Sequence, residues 1–419
     1  MRGNWKFAVA AAVAAVGLTA QAQEGLRDRD PVLQAAKKIA SDLQAASFHN
    51  GDFYLLSHFE LADLGYGAQY YSPTGTTNSG FSLEASAPQR LYFVPSRRVV
   101  LSIDAVPQIA WIHENGTHTQ SGYRFRGDAQ FIFNHLYLDF YGMITDELRA
   151  HTGELNRVLT IKEHETGISG EIKYTSRTSA LFSARYRQAD YPLNRLQPSV
   201  FESQIPLLDR DEHNYRVSAL HKTFPLTSLT LAAEHSDYTF KNASVRDSTR
   251  DYAAAGFILD NGTTVVRAEA GPGRLNFKQP GQRDFSGILG SANISHRAGD
   301  RWRIGANTQR DLDFSIYPGN SYYLSDRYEV GIDYAATRRL SLRAVSDISI
   351  DHYDVRSPVL PVFFPLRRDR TTWNAIGWGY NMRRLRGGFD VGYYKRTSTT
   401  PDVDQSHGIR FVVHLSFTP

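Results

Sequence analysis

Ile409-Arg410-Phe411-Val412-Val413-His414-Leu415-Ser416-Phe417 is the stretch that decides the fold class of this chain. Ile409, Phe411, Val413, Leu415 and Phe417 fall on one side at period 2. Arg410, His414 and Ser416 fall on the other, with Val412 the one apolar exception. Such a strand is greasy on one face and wet on the other. At the opposite end, Met1 to Ala22 reads as an export signal: Arg2 and Lys6, an apolar run from Phe7 to Ala20, then the small-x-small pattern Ala20-Gln21-Ala22. The run is shorter than the ~18 residues a spanning helix needs, so cleavage is expected, with Gln23 first in the mature chain. Both ends together predict a barrel strand with lipid outside and water inside.

Composition narrows the alternatives. Mean hydropathy is −0.40 with 21% charged residues, and no segment after the signal approaches ~18 consecutive apolar residues. A helical membrane protein is thereby excluded. The chain has no cysteine, which removes disulfide scaffolds, thiol catalysis and thiolate-held metals. The net charge of +4 is modest, and the basic residues are not clustered among stacking aromatics, so no nucleic-acid partner is expected.

Residues 23–50 form a separate N-terminal segment. Asp30-Pro31 reads as a helix start, and Val32, Leu33, Ala36, Ile39, Ala40 and Leu43 recur at helical spacing. A short amphipathic helix on the periplasmic side or in the barrel mouth is expected there, with a semi-ordered leader before the barrel as the alternative.

From residue 51 to 419 the pattern is strand and turn. Arg301-Trp302-Arg303-Ile304-Gly305-Ala306 and Arg339-Leu340-Ser341-Leu342-Arg343-Ala344 each follow a tight turn, and such hairpin units recur roughly every forty residues. Short turns fall near 95–97, 133–135, 175–178, 223–227, 260–262, 297–300, 335–338 and 381–384. Longer connections fall near 74–79, 115–120, 148–163, 191–210, 241–249, 278–283, 316–320, 355–366 and 398–404. That asymmetry is typical of outer-membrane barrels. With a first strand near 63–73 it implies about eighteen strands, or sixteen if 63–94 is not a full hairpin. The expectation is an all-β, closed antiparallel transmembrane meander, an even strand number leaving no open edge in lipid.

The two faces carry different chemistry. Val99, Leu101, Ile103, Ala105, Pro107, Ile109 and Trp111 line one outward stripe; Leu136, Leu138 and Phe140 line a second; Leu385, Phe389, Val391 and Tyr393 a third. Phe411, Val413, Leu415 and Phe417 form the lipid face of the closing strand. Trp111, Trp302, Trp378, Tyr322, Tyr380 and Tyr393 sit near strand ends, where headgroups favour amphipathic rings. The expected lumen-lining residues include Arg124, Arg126, Asp128, Arg185, Arg187, Arg303, Arg327, Glu329, Arg343, Asp347, Arg386 and Asp390. A charge facing midplane lipid costs about 2–4 kcal/mol, so these must meet water. Their signs are interspersed, which favours Arg–carboxylate bracing of the wall over a transverse field or an anion path. Arg310 is the misfit: strict alternation turns it outward, where a bulge or a headgroup-level position would accommodate it. Loop 355–366 is apolar enough to fold inward as a constriction, to bind a partner or glycan, or to pack on Tyr191-Pro192-Leu193.

No catalytic set emerges. His235 beside Glu234 and His352 beside Asp351 are sequence neighbours, which point to opposite faces of a strand. No catalytic residue, metal or cofactor is assigned, and an enzyme is not expected. A barrel plugged by its own loops and a membrane-embedded hydrolase are the alternatives to a channel.

Segment 285–350, with Phe285-Ser286-Gly287, Trp302-Arg303-Ile304, Gln309-Arg310-Asp311, Ser321-Tyr322-Tyr323 and Leu340-Ser341-Leu342, resembles the putative β-barrel porin 2 group of outer-membrane proteins. Gly51-Asp52-Phe53-Tyr54-Leu55-Leu56 and Leu61-Ala62-Asp63-Leu64-Gly65-Tyr66 look like the start of that group's barrel. The resemblance implies a channel in the outer membrane of a Gram-negative-type envelope, exporting an exopolysaccharide or passing small hydrophilic solutes. Expected partners are outer-membrane lipids and lipopolysaccharide, the barrel-assembly machinery and polysaccharide-secretion components.

Overall fold

The computed structural model describes residues 39–68, 79–96, 98–113, 117–152, 155–192, 202–316, 320–353, 367–382, 384–399 and 407–419. The export signal, the first part of the expected helix, loop 355–366 and much of loop 191–210 lie outside the described residues. The chain divides into two units, Met1–Ala45 and Ala46–Pro419. In the first, residues 39–45 are helical.

The second unit is a closed antiparallel barrel. Its early segments are β1 (Phe48–Asn50), β2 (Phe53–Ser57), β3 (Phe59–Ala68), β4 (Ser79–Ser86), β5 (Gln89–Ser96), β6 (Val99–His113), β7 (Thr117–Ile132), β8 (Leu136–Thr152), β9 (Leu155–Lys173) and β10 (Thr178–Asp190). Next come β11 (Arg210–Phe224), β12 (Thr227–Phe240), β13 (Ser248–Asp260), β14 (Thr264–Phe277), β15 (Phe285–Ala298) and β16 (Trp302–Phe314). The last are β17 (Tyr322–Ala335), β18 (Leu340–Tyr353), β19 (Arg367–Asn381), β20 (Leu385–Ser398) and β21 (His407–Phe417). Two wall strands are each interrupted once. His58 separates β2 from β3, and Ala87-Pro88 separates β4 from β5, both halves of which pair with β6. Proline donates no ladder hydrogen bond, yet the His58 amide bonds the Pro88 carbonyl at 2.9 Å and the Ala87 amide the Pro107 carbonyl at 3.0 Å. Counting each interrupted strand once, and leaving out β1, which pairs only with β2, gives eighteen wall strands.

Closure is made by β21 against β3, from Arg410↔Gly67 to Phe417↔Phe59. The contact lies at 59–67, so the first wall strand starts earlier than the 63–73 expected. The apolar run Phe59 to Leu64 alternates imperfectly because both its pairings shift register there. Gly67 is required at the seam: its φ is +145°, and a Cβ would sit 2.2 Å from the Ile409 carbonyl oxygen. With the ring closed, backbone polar groups are satisfied between strands, the condition for spanning lipid.

Short turns join strands at one end and longer connections at the other, with two exceptions. The longer connections expected at 115–120 and 148–163 are absent: β6 and β7 stay paired to His113↔Thr117, and β8 and β9 to Thr152↔Leu155. Beyond the lipid the outer face has no apolar demand, so the period-2 signal fades while the ladder continues.

The inner face is identified by reach. Arg216 Nη2 donates to Glu269 Oε2 at 2.7 Å from β11 to β14, and Arg250 Nη2 to Asp311 Oδ1 at 2.5 Å from β13 to β16. Side chains bridge non-adjacent strands only across a concave surface; on the convex side they diverge. Val217, Leu231, Ile103, Phe257 and Ile376, at alternate positions, form the exposed apolar outside.

One hairpin leaves the cylinder. Pairing of β15 with β16 ends at Gly290↔Arg310, whereas β16 stays paired with β17 to Phe314↔Tyr322. Beyond that rung, Leu312, Phe314, Tyr322 and Leu324 would face outward by parity. They pack instead on Tyr238, Tyr252, Leu275 and Leu289 of the concave face. The tip of the β16–β17 hairpin folds inward over β12–β15.

Candidate functional site

The lumen wall is a set of braced ion pairs. Arg126 Nε donates to Asp128 Oδ1 at 2.8 Å while its guanidinium lies 4.2 Å from the Tyr141 ring centroid. Arg124 approaches Glu147 at 3.8 Å. Arg187 joins Glu163 and Glu212, and Arg210 Nε reaches Glu212 at 2.7 Å. Arg343 Nε donates to Asp390 Oδ1 at 2.6 Å, with His414 Nδ1 at 3.4 Å. Asp369 lies between Arg367 and Arg396. Arg327 pairs with Asp313 at 3.6 Å. Arg185 shares the parity of Arg187; Arg303 stands opposite Asp333 and Arg386 opposite Ser416. Glu329 and Asp347 are direct cross-strand partners, a like-charged rung on the inward face.

Glycine makes the longest of these reaches possible. Gly377 lies on the rung between Arg343 and Asp390, where a Cβ would come within 1.8 Å of Asp390 Oδ1. Arginine and carboxylate therefore meet across the empty position of the strand between them.

Three sets of contacts hold the inward hairpin. The hairpin tip is clamped by edge-on ring contacts of Phe314 with Phe240 (4.8 Å) and Tyr238 (5.0 Å), and by Arg210 5.2 Å from the Phe314 centroid. The 3-10 helix Glu202–Leu208 supplies Ile205 and Leu208 to a cluster with Ile161, Ala189, Tyr191 and Ile316. The hairpin thus shares one apolar cluster with side chains of β9 and β10, six to seven strands away. The third is made by Arg246, which donates to the Ser315 carbonyl. At the helix exit the Tyr191 amide donates to Asp209 Oδ1 at 2.7 Å, and Asn242 to Asp209 Oδ2 at 2.9 Å. Burial pushes the Asp209 carboxyl above its usual range, partly opposed by the Tyr191 hydrogen bond.

Several expectations meet the structure here. Tyr322 is not in an outer aromatic girdle; it is 5% exposed and packs on Leu275. Arg310 faces outward, half-exposed, and pairs with Asp326 at 3.6 Å without a bulge in β16. Sequence reasoning missed the inward hairpin. Its signal was present: Leu312, Phe314 and Ile316 continue the outward apolar parity past Arg310, where water should begin.

Residues 208–404 match the family model described as Putative beta-barrel porin 2. Among solved structures, Pseudomonas aeruginosa OccK3 (OpdO) is similar at 11% identity, covering 91% of this chain and 97% of its own, with a TM-score of 0.47. Acinetobacter baumannii OccAB3 is similar at 9% identity, covering 87% and 99%, with a TM-score of 0.49. Pseudomonas aeruginosa outer membrane protein opdK is similar at 12% identity, covering 87% and 98%, with a TM-score of 0.47. No curated protein matches the chain. The closed wall, its apolar outside and the family match define an outer-membrane channel barrel of the porin class.

Proposed function

We propose that this barrel passes small hydrophilic solutes of low net charge, saccharides among them. One observation carries the reading: the inward charges are largely spent on one another, within and across strands. Paired charges of interspersed sign leave little net field to select an ion, while their remaining lone pairs and N–H groups still serve hydroxyls. The inward hairpin adds a size limit.

Export of an exopolysaccharide is the second reading, and it rests on the family resemblance. Liposome swelling with the purified barrel separates the two. Monosaccharides and disaccharides should enter, with anionic and neutral sugars of equal size entering at similar rates. Swelling that stays absent for every sugar, while long oligosaccharides still block single-channel current, would favour the polymer conduit.

A further inference from the structure

Outward charges above the apolar belt are paired in most of the described wall. Lys162 has Asp146 at 3.6 Å, His235 has Asp251 at 2.7 Å, and Arg310 has Asp326. The β19–β20 sector differs. Asp369 and Arg396 are buried inward, so alternation turns Arg368, Arg370 and Lys395 outward, where all three are exposed. Among the described residues none of the three has a carboxylate within ion-pair distance. Their register partners are His352 for Arg368, Ile350 and Thr397 for Arg370, and Thr372 and His407 for Lys395. Arg370 and Lys395 are diagonal neighbours on one face, a spacing at which like charges repel. Asp326, on the outward face two strands from β19, is already held by Arg310 and by His352 at 3.2 Å.

Directly below lies hydrocarbon surface. Ile376 is 67% exposed, Ile409 52% and Tyr393 41%. Asn374, hydrogen-bonded to Ser346 at 2.8 Å, marks the change from apolar to polar. Both termini of the barrel lie at the end with the short turns, so this cluster sits at the loop end, against the outer leaflet.

We propose that Arg368, Arg370 and Lys395 form a binding site for a phosphorylated glycolipid of the outer leaflet. Its phosphates neutralise the three cations and its acyl chains lie along Ile376, Tyr393 and Ile409. Arginine suits the role because its planar fork takes two phosphate oxygens at once. Lys395, two residues from Tyr393 on the same outward face, supplies a point charge.

The test titrates the purified full-length barrel, in non-ionic detergent, with bisphosphorylated lipid A and follows bound lipid by native mass spectrometry. Each basic residue at a membrane surface is worth roughly fivefold, so the triple variant Arg368→Gln, Arg370→Gln, Lys395→Gln should bind on the order of 100-fold more weakly. Lys162→Gln, in the paired sector, should bind as the parent does. Heat-modifiable migration and single-channel conductance should be unchanged in both, because these side chains lie outside the lumen. Parent-like affinity in the triple variant would overturn the site, as would equal affinity for dephosphorylated lipid A. Displacement by millimolar inorganic phosphate, or equal binding of phosphatidylglycerol, would overturn the glycolipid as occupant. If the triple variant fails to assemble, Lys395→Gln alone decides: about fivefold weaker binding supports the site, and no change refutes it.

Discussion

Arg310 stands opposite Asp326, 3.6 Å away on the outward face, at the last rung where β15 still holds β16. Below this pair the hairpin belongs to the cylinder wall; above it the same two strands turn into the lumen. The charged pair sits at headgroup height, and the apolar residues beyond it find cover only on the concave side.

Loosening that hairpin should widen the channel. Leu312→Asp with Leu324→Asp places carboxylates against Tyr252 and Leu289, a contact they cannot keep without desolvation. Single-channel conductance should rise while heat-resistant migration persists. Unchanged conductance would mean the hairpin does not limit flow.

The assigned faces can be tested by charge placement. Ile103→Arg and Leu342→Arg, both on exposed outward positions, should each cost about 2–4 kcal/mol and lower outer-membrane yield. Asp347→Arg should be tolerated, since it faces inward opposite Glu329 and converts a like-charged rung into an ion pair. Equal loss from all three would mean the assigned faces are wrong.

At Gly377 a methyl group should be harmful. Gly377→Ala must displace the Asp390 carboxylate from Arg343, an overpacking cost of about 1–3 kcal/mol. Urea unfolding in lipid vesicles would register it as a lower midpoint. In the double variant Gly377→Ala, Asp390→Ala the loss beyond that of Asp390→Ala alone should shrink to the cost of the remaining 2.7 Å approach to the Phe389 carbonyl oxygen.

The closing seam makes a fourth case. Phe417 lies between Leu385 and Phe59, all three outward. Phe417→Asp should cut assembled barrel far more than Thr418→Asp, because Thr418 meets His58 at 2.9 Å beyond the ladder. Similar yields for both would remove the terminal strand from the closing role.

Asp209 links loop docking to pH. Its carboxyl is held above the ordinary range by burial, so the folded state binds the proton more tightly than the unfolded one. The stabilising contribution is complete below the ordinary carboxylate range and is lost as pH rises through the raised value. Protease cleavage within 202–209 should therefore increase with pH across that window in the parent. In Asp209→Asn, which still offers an acceptor to the Tyr191 amide, the slope should flatten, although Asp190 and Lys241 remain nearby.

The chain's local pattern was enough to read a closed barrel of eighteen strands, the outward stripe from Val99 to Trp111, and the alternation of short turns with long connections. Each depends on period-2 polarity against lipid, a constraint written residue by residue along a strand. Whether Arg343 would brace Asp390 over Gly377 was not legible, because side chains two strands apart meet only where the wall is curved and the position between them is empty. The β8–β9 extension hid for a different reason: above the membrane, backbone pairing holds without an apolar face. The hairpin needed the tertiary structure most. Leu312, Phe314, Tyr322 and Leu324 state that they need burial, but only a curved wall carrying Tyr252, Leu275 and Leu289 on its inside determines which way they fold.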